Sequence, residues 1–296
     1  MEWVCLSPYA IRTNVLPSAP SVSAGKKKIT ANTPSPGDMS RPIYRHLSNL
    51  KWRSRARLIS QQRLTQMSII PDLLPSLDAT ASVDIAFHGT KSNSPDRILP
   101  RPTPTGQRVT VQPGEFVASA VAEHAPKLEV KVFDKGERLV TIAVVDCDVP
   151  NMAKDGFDYR CQFLATNVKV SPTQPTIRLA SLNETEQVLL PWRAPYAVKG
   201  SPYHRVAIVV LEQPEGRIAV EKAKEKVERH GFVLRSFADR HALKPVGAGL
   251  FRVEWDEWMD GVMQRLGLTE AQRSVELKRK KVEPLPYKKK DGARYR

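Results

Sequence analysis

The sequence predicts a mainly β protein whose short strands, joined by long connections, form an antiparallel sandwich with peripheral helices and a basic extension at each end. Two apolar runs, residues 139–145 and 206–211, are rich in β-branched residues and continuous enough for strands that are buried on both faces. Because 41% of the 296 residues are hydrophobic, the chain can bury a core of one large or two small domains.

The net charge of +15 is concentrated at the two ends of the chain. Residues 1–70 hold 11 Lys and Arg against 2 acids, residues 270–296 hold 10 against 4, and residues 71–269 hold 25 of each sign. A neutral body with two basic arms is typical of a protein with a phosphate-rich partner, because each phosphate contact releases condensed counterions. Solvated or disordered tails are one alternative. An anionic membrane surface is another, although neither arm shows a long apolar helical face.

Three cysteines, Cys5, Cys147 and Cys161, are present without a CxxC pair or a cluster of histidines. This odd number excludes a disulfide framework, argues against a tetrahedral zinc site and fits a reducing compartment. No apolar run approaches the roughly 20 residues that a membrane-spanning helix needs. The sequence therefore predicts a soluble or peripheral protein.

The N-terminal part divides into an extension, residues 1–45, and a basic helical arm, residues 46–70. The first 37 residues contain one acid, Glu2, and many Ser, Thr and Pro, which is typical of an organellar transit segment; a disordered extension is the alternative. In residues 47–67 leucines recur at helical intervals among arginines. Arginine suits bidentate phosphate contacts better than solubility alone would require.

Residues 71–262 are predicted to form the sandwich, and residues 88–109, rich in Pro, Ser and Gly, a long surface loop inserted between its strands. The predicted strands are residues 82–87, 128–132, 139–145, 163–168, 188–190, 206–211 and 250–255, and the predicted helices are residues 217–229, 235–243 and 257–266. Residues 263–296 predict a basic helix, 270–281, begun by a capping box at Thr269 and Gln272, and an extended tail.

Chemistry-bearing side chains occur at the ends of two predicted core strands. Asp146 and Asp148 follow one strand, which Pro150 is expected to stop, and His204 precedes another. If the strands are neighbours, these groups meet at one sheet edge as an acid/base group or an anion pocket. An ordinary loop entrance and a hydrogen-bonded structural histidine are the alternatives. The chain has no GxSxG elbow and no glycine-rich loop between strand and helix, which disfavours hydrolase and nucleotide-binding folds.

Four blocks in order along the chain carry a family resemblance. They read VVDCDVP (144–150), FLATNV (163–168), GSPYHRVAIVVLEQ (200–213) and FADRHALKPVGAGLFRVEWDE (237–257). In this order they resemble the signature blocks of the phosphatidylethanolamine-binding proteins. The resemblance implies a Greek-key sandwich of two antiparallel sheets, with a small anion pocket built from aspartates of the first block and histidines of later ones.

The same resemblance shows where this chain departs from the family. Asp146, Asp148 and His204 are retained, but Arg160, Cys161 and Gln162 stand where the family has Trp-His-His, so that Gln162 replaces a pocket histidine. Val206 replaces a tyrosine, and Pro195, Tyr196 and Ala197 stand in the region of a Gly-Pro-Pro lip. Each lost charge-assisted hydrogen bond is worth roughly 1.5 to 3 kcal/mol. We therefore expect a remnant anion pocket of Asp146, Asp148, Gln162 and His204 in which headgroup binding is weakened or lost.

Over about residues 45–296 the chain also resembles the mitochondrial large-subunit ribosomal proteins that carry this sandwich. This implies a structural, non-enzymatic component in the mitochondrial matrix, without a cofactor or membrane insertion, whose partners are large-subunit ribosomal RNA and neighbouring ribosomal proteins. An anion-binding or inhibitory module is the rival hypothesis. An enzyme is disfavoured because no nucleophile, metal set or cofactor loop accompanies His204. The expected RNA contacts are the basic residues of the two arms: Lys51, Arg53, Arg55, Arg57, Arg63, Lys278, Arg279, Lys280, Lys281, Lys288, Lys289, Lys290, Arg294 and Arg296.

Overall fold

The computed structural model describes residues 37–91, 97–100 and 108–269. Its helices are α1 Pro42–Lys51, α2 Arg57–Gln66, α3 Ile69–Asp72, α4 Ser119–Ala122, α5 Val220–Lys224, α6 Leu234–Arg240 and α7 Met259–Arg265, with a π-helical turn at Trp52–Ala56 and a 3-10 turn at Leu179–Ser181. Its strands are β1 Ser82–His88, β2 Thr90–Lys91, β3 Arg97–Leu99, β4 Arg108–Val111, β5 Glu115–Val117, β6 Lys127–Lys131, β7 Arg138–Asn151, β8 Gly156–Val170, β9 Thr176–Arg178, β10 Val188–Leu190, β11 His204–Glu212 and β12 Lys244–Val253. The prediction of a mainly β protein is confirmed.

The strands form two sheets, as the sequence and the family resemblance predicted. One sheet has the order β4-β1-β6-β9, and the other has the order β10-β8-β7-β11-β12-β5-β3-β2. All pairings are antiparallel except those of β5, which runs parallel to both β12 and β3. The predicted antiparallel sandwich is thus confirmed, with a parallel addition at this edge.

The large sheet is buried on both faces, which explains why its central strands are continuously apolar. On β7, Ile142 and Val144 pack between the two sheets, whereas Ala143 and Val145 pack against the helices on the outer face. All four side chains are fully buried. The predicted double burial of the runs at residues 139–145 and 206–211 is confirmed.

The hairpin of β7 and β8 is longer than predicted and does not end at Pro150. Pro150 pairs with Phe157, and β7 continues to Asn151. The pairing of β7 with β11 ends at Asp146. Beyond this point β7 lies at a sheet edge, where a residue without a backbone N–H is tolerated. Asp146 and Asp148 thus lie within a strand rather than after its end.

Several predicted connections contain short elements. The expected loop at residues 88–109 includes β2, β3 and the start of β4, and the polar stretch after β8 includes β9 and the 3-10 turn. The helix expected at residues 217–229 is confined to α5, where Val220 and Ala223 are buried. The basic helix predicted at residues 270–281 and the tail lie outside the described residues.

The N-terminal arm is one nearly continuous helical segment formed by α1, the π-helical turn and α2. It begins at Pro42 rather than at residue 46, because a proline is favoured in the first turn of a helix. The arm packs on the body through buried Leu64 and through the ring of Trp52, whose centroid lies 5.2 Å from that of Phe133. The arm and the body therefore share a packed interface.

Candidate functional site

Asp146 and His204 meet because β7 and β11 are neighbours. Val206 pairs with Asp146 in the antiparallel register, so that His204 lies two residues beyond the end of this pairing. The Nδ1 atom of His204 lies 3.1 Å from Oδ1 and 3.0 Å from Oδ2 of Asp146. The other ring nitrogen, Nε2, lies 3.3 Å from the hydroxyl of Ser201. The predicted juxtaposition of these two side chains is present in the structure.

Arg160 fills the space next to this pair, a role that sequence reasoning missed. It stands opposite Asp146 in the β7–β8 register, and its Nη2 atom donates to Asp146 Oδ2 at 2.8 Å and to the carbonyl of Tyr196 at 3.1 Å. The guanidinium carbon lies 3.7 Å from the centroid of the Tyr196 ring, within the range of a cation–π contact. Asp146 therefore has an internal cationic partner in addition to His204.

Gln162 orients the guanidinium of Arg160 rather than facing an open pocket. With its amide turned so that both polar atoms are satisfied, the oxygen accepts from Arg160 Nε at 2.9 Å and the nitrogen donates to the carbonyl of Arg193 at 3.1 Å. The residue that replaces a family histidine is thus part of the packing of Arg160. We name Asp146, Arg160, Gln162, Tyr196 and His204 the buried cluster.

Asp148 does not join the buried cluster, although it is only two residues from Asp146. The β7–β8 register shifts between Asp146 and Val149, and the carboxylate of Asp148 instead accepts from the backbone N–H, Nε and Nη2 of Arg205 at 2.7–2.8 Å. These bonds raise the pKa of Arg205. Nη1 of Arg205 also donates to the carbonyl of Met67 at 2.6 Å. The pair of Asp148 and Arg205 therefore links the end of α2 to the sheet. Asp148 and Asp146 thus have different partners and do not form the expected single pocket with His204.

The polar side chains of the buried cluster are removed from solvent. Asp146, Arg160, Gln162 and His204 are each at most 1% exposed. Burial alone would raise the pKa of Asp146, but the charge and hydrogen bond of His204, the charge of Arg160 and the backbone N–H of Asp148 outweigh it and lower this pKa. The arrangement stabilises an ionised carboxylate without an external ligand.

The two described cysteines are not activated nucleophiles. Burial raises the pKa of the Cys161 thiol to about 12 and also raises that of Cys147. Within residues 37–91, 97–100 and 108–269, no three His, Cys, Asp or Glu side chains converge as metal ligands would. In the same part of the chain, no helix is long and apolar enough to cross a membrane.

The predicted RNA-contact residues of the arm divide into two groups. Lys51, Arg53, Arg55 and Arg63 are exposed, and within the described part of the chain their side chains form no hydrogen bond or ion pair. Arg57 instead forms an ion pair with Asp78 and lies 6.0 Å from the Trp52 ring, which turns it toward the body. The residues predicted from Lys278 to Arg296 lie outside the described residues.

A second cationic surface on the body was not predicted, because the body is neutral as a whole. Arg217, Lys226, Arg240 and His241 line a cavity of about 380 Å³ next to α5 and α6, together with one acid, Glu215. Desolvation and then the charges of Arg240 and Lys226 lower the pKa of His241. The cavity could accommodate an anionic group. Sequence reasoning missed it because the contributing residues are separated along the chain by acids such as Glu221 and Glu225.

Comparison with known proteins identifies a protein to which this chain is similar in sequence. Over 220 residues the chain is 26% identical to the large ribosomal subunit protein mL38 of Schizosaccharomyces pombe. The alignment covers 74% of this chain and 64% of that protein, so the chain spans less than two thirds of the length of this relative.

The structure is also similar to solved structures at low sequence identity. One is the phosphatidylethanolamine-binding protein from Plasmodium vivax, with 16% identity, a TM-score of 0.46 and coverage of 66% of this chain and 97% of that chain. Another is the carboxypeptidase Y inhibitor complexed with its cognate proteinase, with 16% identity, a TM-score of 0.47 and coverage of 67% and 95%. Residues 100–260, more than half of the chain, match the family model of the phosphatidylethanolamine-binding proteins. The chain therefore belongs to the phosphatidylethanolamine-binding protein family.

Proposed function

We propose that this protein is a non-enzymatic, structural component of the large subunit of the mitochondrial ribosome, and that it supports translation in the mitochondrial matrix. The observation that carries the proposal is the similarity to mL38, which extends over 220 residues, whereas the family model matches only residues 100–260. More than the sandwich is therefore shared with a protein whose name places it in a large ribosomal subunit.

The charges of the arm support ribosomal RNA as a partner. Lys51, Arg53, Arg55 and Arg63 are exposed and without anionic partners among the described residues, so they are free to contact phosphates. The basic C-terminal stretch, which includes Lys278–Lys281 in sequence, would add further contacts. The cationic surface at Arg217, Lys226 and Arg240 offers a further place for a phosphate. Neutral parts of the sandwich would face neighbouring ribosomal proteins.

The buried cluster supports a structural rather than a ligand-binding role for the inherited pocket. In the rival hypothesis, Asp146, Asp148, Gln162 and His204 bind an anion or a lipid headgroup. Arg160 now neutralises Asp146 from inside the protein, and the side chains of the cluster are at most 7% exposed. We therefore expect no saturable binding of phosphate or phosphorylethanolamine at millimolar concentration. Saturable binding that His204→Ala abolishes would favour the rival.

Sedimentation tests the main proposal directly. The tagged full-length chain, expressed in cells, is expected to co-sediment with the mitochondrial large subunit through a high-salt sucrose gradient. The triple variant Arg53→Gln, Arg55→Gln and Arg63→Gln should be retained less as the salt concentration rises, because it lacks three phosphate contacts.

A matched control is provided by exposed lysines of the body. The variant Lys135→Gln, Lys199→Gln and Lys244→Gln removes the same charge from residues that are also exposed, and it should remain on the subunit. Wild-type protein found free at the top of the gradient would contradict the ribosomal proposal. Equal losses for the two triple variants would contradict the assignment of RNA contacts to the arm.

A further inference from the structure

The outer side of the N-terminal arm carries a row of exposed aliphatic side chains. Ile43, Leu47, Leu50 and Leu58 are 61%, 54%, 52% and 60% exposed, and they are four of the largest exposed hydrophobic side chains among the described residues. The first three follow one face of α1, because residues three and four apart are neighbours on a helix. We name these four residues the apolar stripe. The sequence alone did not indicate a long apolar face here.

The π-helical turn keeps Leu58 in line with the rest of the apolar stripe. In a regular α-helix, the eight residues from Leu50 to Leu58 would rotate by about 800°, which leaves the two side chains about 80° apart. The turn at Trp52–Ala56 accommodates one extra residue, or about 100° of rotation, and returns Leu58 to within about 20° of Leu50. π-Helical turns are rare and are frequent at functional sites. Here the turn extends an apolar row along about 22 Å of helix.

The inner side of the arm contacts the body, apart from a cavity of about 770 Å³ between the two, so the apolar stripe faces away from the body. Leu64 is buried against the outer face of the large sheet, and Trp52 and Arg57 contact Phe133 and Asp78. Single exposed leucines are ordinary on protein surfaces, whereas a continuous row marks an interaction surface. The stripe therefore requires a covering partner.

The charges around the apolar stripe determine which partner fits. The arm that carries the stripe is basic, because Lys51, Arg53 and Arg55 have no anionic partner among the described residues. The C-terminal stretch, residues 270–296, has 10 basic residues against 4 acids and would be repelled, and a second copy of the arm carries the same charges. A phosphate backbone offers no apolar groove. A row about one side chain wide suits a groove better than a bilayer, which favours a wide apolar face.

We infer that the apolar stripe is a docking site for a neighbouring protein that presents an apolar groove. The arm thus lies in the groove as an amphipathic helix, with Ile43, Leu47, Leu50 and Leu58 as its anchors, and its cations remain available to RNA phosphates. This inference deepens the proposed function, because within a ribosomal subunit the neighbour is another ribosomal protein. The arm would then contact RNA and protein with different side chains.

Site-specific photo-crosslinking in the full-length chain tests which class of molecule covers the stripe. A photoreactive benzoylphenylalanine replaces Leu50 in cells that express the tagged chain, and irradiated adducts are treated separately with nuclease and with protease. The expected product is an adduct with another protein that resists nuclease, and whose crosslinked peptide contains aliphatic residues. The same reagent at Val233, which is 54% exposed on the body, is the matched control.

Each other product overturns the inference. A nuclease-sensitive adduct would mean that RNA covers the stripe, and a lipid adduct would mean that a membrane does. An adduct within the chain itself, an adduct with a second copy, or a yield no higher than at Val233 would also contradict a protein partner. Sedimentation of the chain with the large subunit is measured separately in lysates of the same cells. If the chain forms a protein adduct but does not sediment with the large subunit, the docking site is supported and the ribosomal function is contradicted.

A paired substitution measures the strength of the contact. Leu47→Gln with Leu50→Gln should weaken retention on the neighbour by roughly tenfold or more, and this loss should persist at high salt, because apolar burial is not screened. Met152→Gln with Val233→Gln changes two side chains of similar exposure on the body and should have no effect. If the Leu variant folds normally and the two double variants are retained equally, the inference is overturned.

Discussion

The buried cluster and the N-terminal arm use the same residue type, arginine, in opposite ways. Arg160 is 1% exposed and donates to Asp146, to Tyr196 and to Gln162. Arg53 and Arg55 are exposed and have no anionic partner in the part of the chain that the structure describes. A charge that is satisfied inside the fold is not available to another molecule, whereas an unpaired surface charge is available.

The comparison indicates how a binding fold can become an assembly component. In the cluster, the carboxylate that the family resemblance assigns to ligand binding is neutralised by groups of the chain itself. On the arm, Lys51, Arg53, Arg55 and Arg63 are exposed on a helix that packs on the body through Leu64 and Trp52. The function proposed for this chain has therefore moved from the sandwich to a surface that the sandwich supports.

The largest expected effect is the loss of stability in Arg160→Met. The substitution removes the guanidinium partner of buried Asp146, and the expected cost is about 3 kcal/mol, the lower end of the range for a broken buried ion pair, because His204 still contacts the carboxylate. Urea denaturation at pH 7 should show this decrease in the free energy of unfolding. The same change at Arg53 should alter stability by less than about 0.5 kcal/mol, because this side chain is exposed and unpaired among the described residues. Similar values for the two variants would contradict the contrast between the regions.

The second effect concerns RNA affinity and its dependence on salt. For the triple variant Arg53→Gln, Arg55→Gln and Arg63→Gln, the slope of log K against log salt concentration for large-subunit RNA should decrease by roughly 2 to 3, since each phosphate contact contributes about 0.7 to 0.9. Filter binding over a range of salt concentrations measures this slope. The variant Lys135→Gln, Lys199→Gln and Lys244→Gln should keep the wild-type slope. An unchanged slope in the arm variant would assign the RNA contacts to other residues.

The core of the fold could be predicted because its strands are long and continuously apolar. Residues 139–145 and 206–211 carry enough β-branched residues to indicate buried strands without any knowledge of their partners. β3 and β9, with three residues each, could not be predicted, because they are strands only through non-local pairing with β5 and β6. The π-helical turn is similarly invisible, since its residues read as ordinary helix formers.

The candidate site was predictable in composition but not in arrangement. His204 and Asp146 could be placed together only on the condition that their strands are neighbours, and the pairing of β7 with β11 meets that condition. The separation of Asp148 depends on a register shift that no residue pattern signals. Arg160 carried no signal of burial, because the polar residues Asp158 and Gln162 flank it in the sequence. Its partner depends on which residue of β7 stands opposite, which only the folded register determines.

The third prediction concerns the pH dependence of the buried cluster. The pKa of Asp146 is lowered in the folded state, so its ionised form contributes stability above the ordinary carboxyl pKa, and this contribution is lost as the pH falls through the lowered value. Asp146→Asn should therefore be less stable than wild type by about 1.5–3 kcal/mol at pH 7, and the difference should shrink below about pH 4. Denaturation curves from pH 7 to pH 3 measure it. A difference that stays constant over this range would mean that folding does not lower the pKa of Asp146.

The smallest expected effect separates Arg57 from Arg55 within the arm itself. Arg57 forms an ion pair with Asp78 and contacts Trp52, whereas Arg55 is exposed and unpaired among the described residues. Arg57→Gln should lower the free energy of unfolding by about 0.2–1 kcal/mol, which is typical of a pair near the surface, and Arg55→Gln should not. In RNA binding the order should reverse, because only Arg55 is free to contact a phosphate. If instead Arg57→Gln lowers the salt slope as much as Arg55→Gln does, the ion pair with Asp78 opens on RNA binding, and the distinction between paired and unpaired arginines fails on the arm.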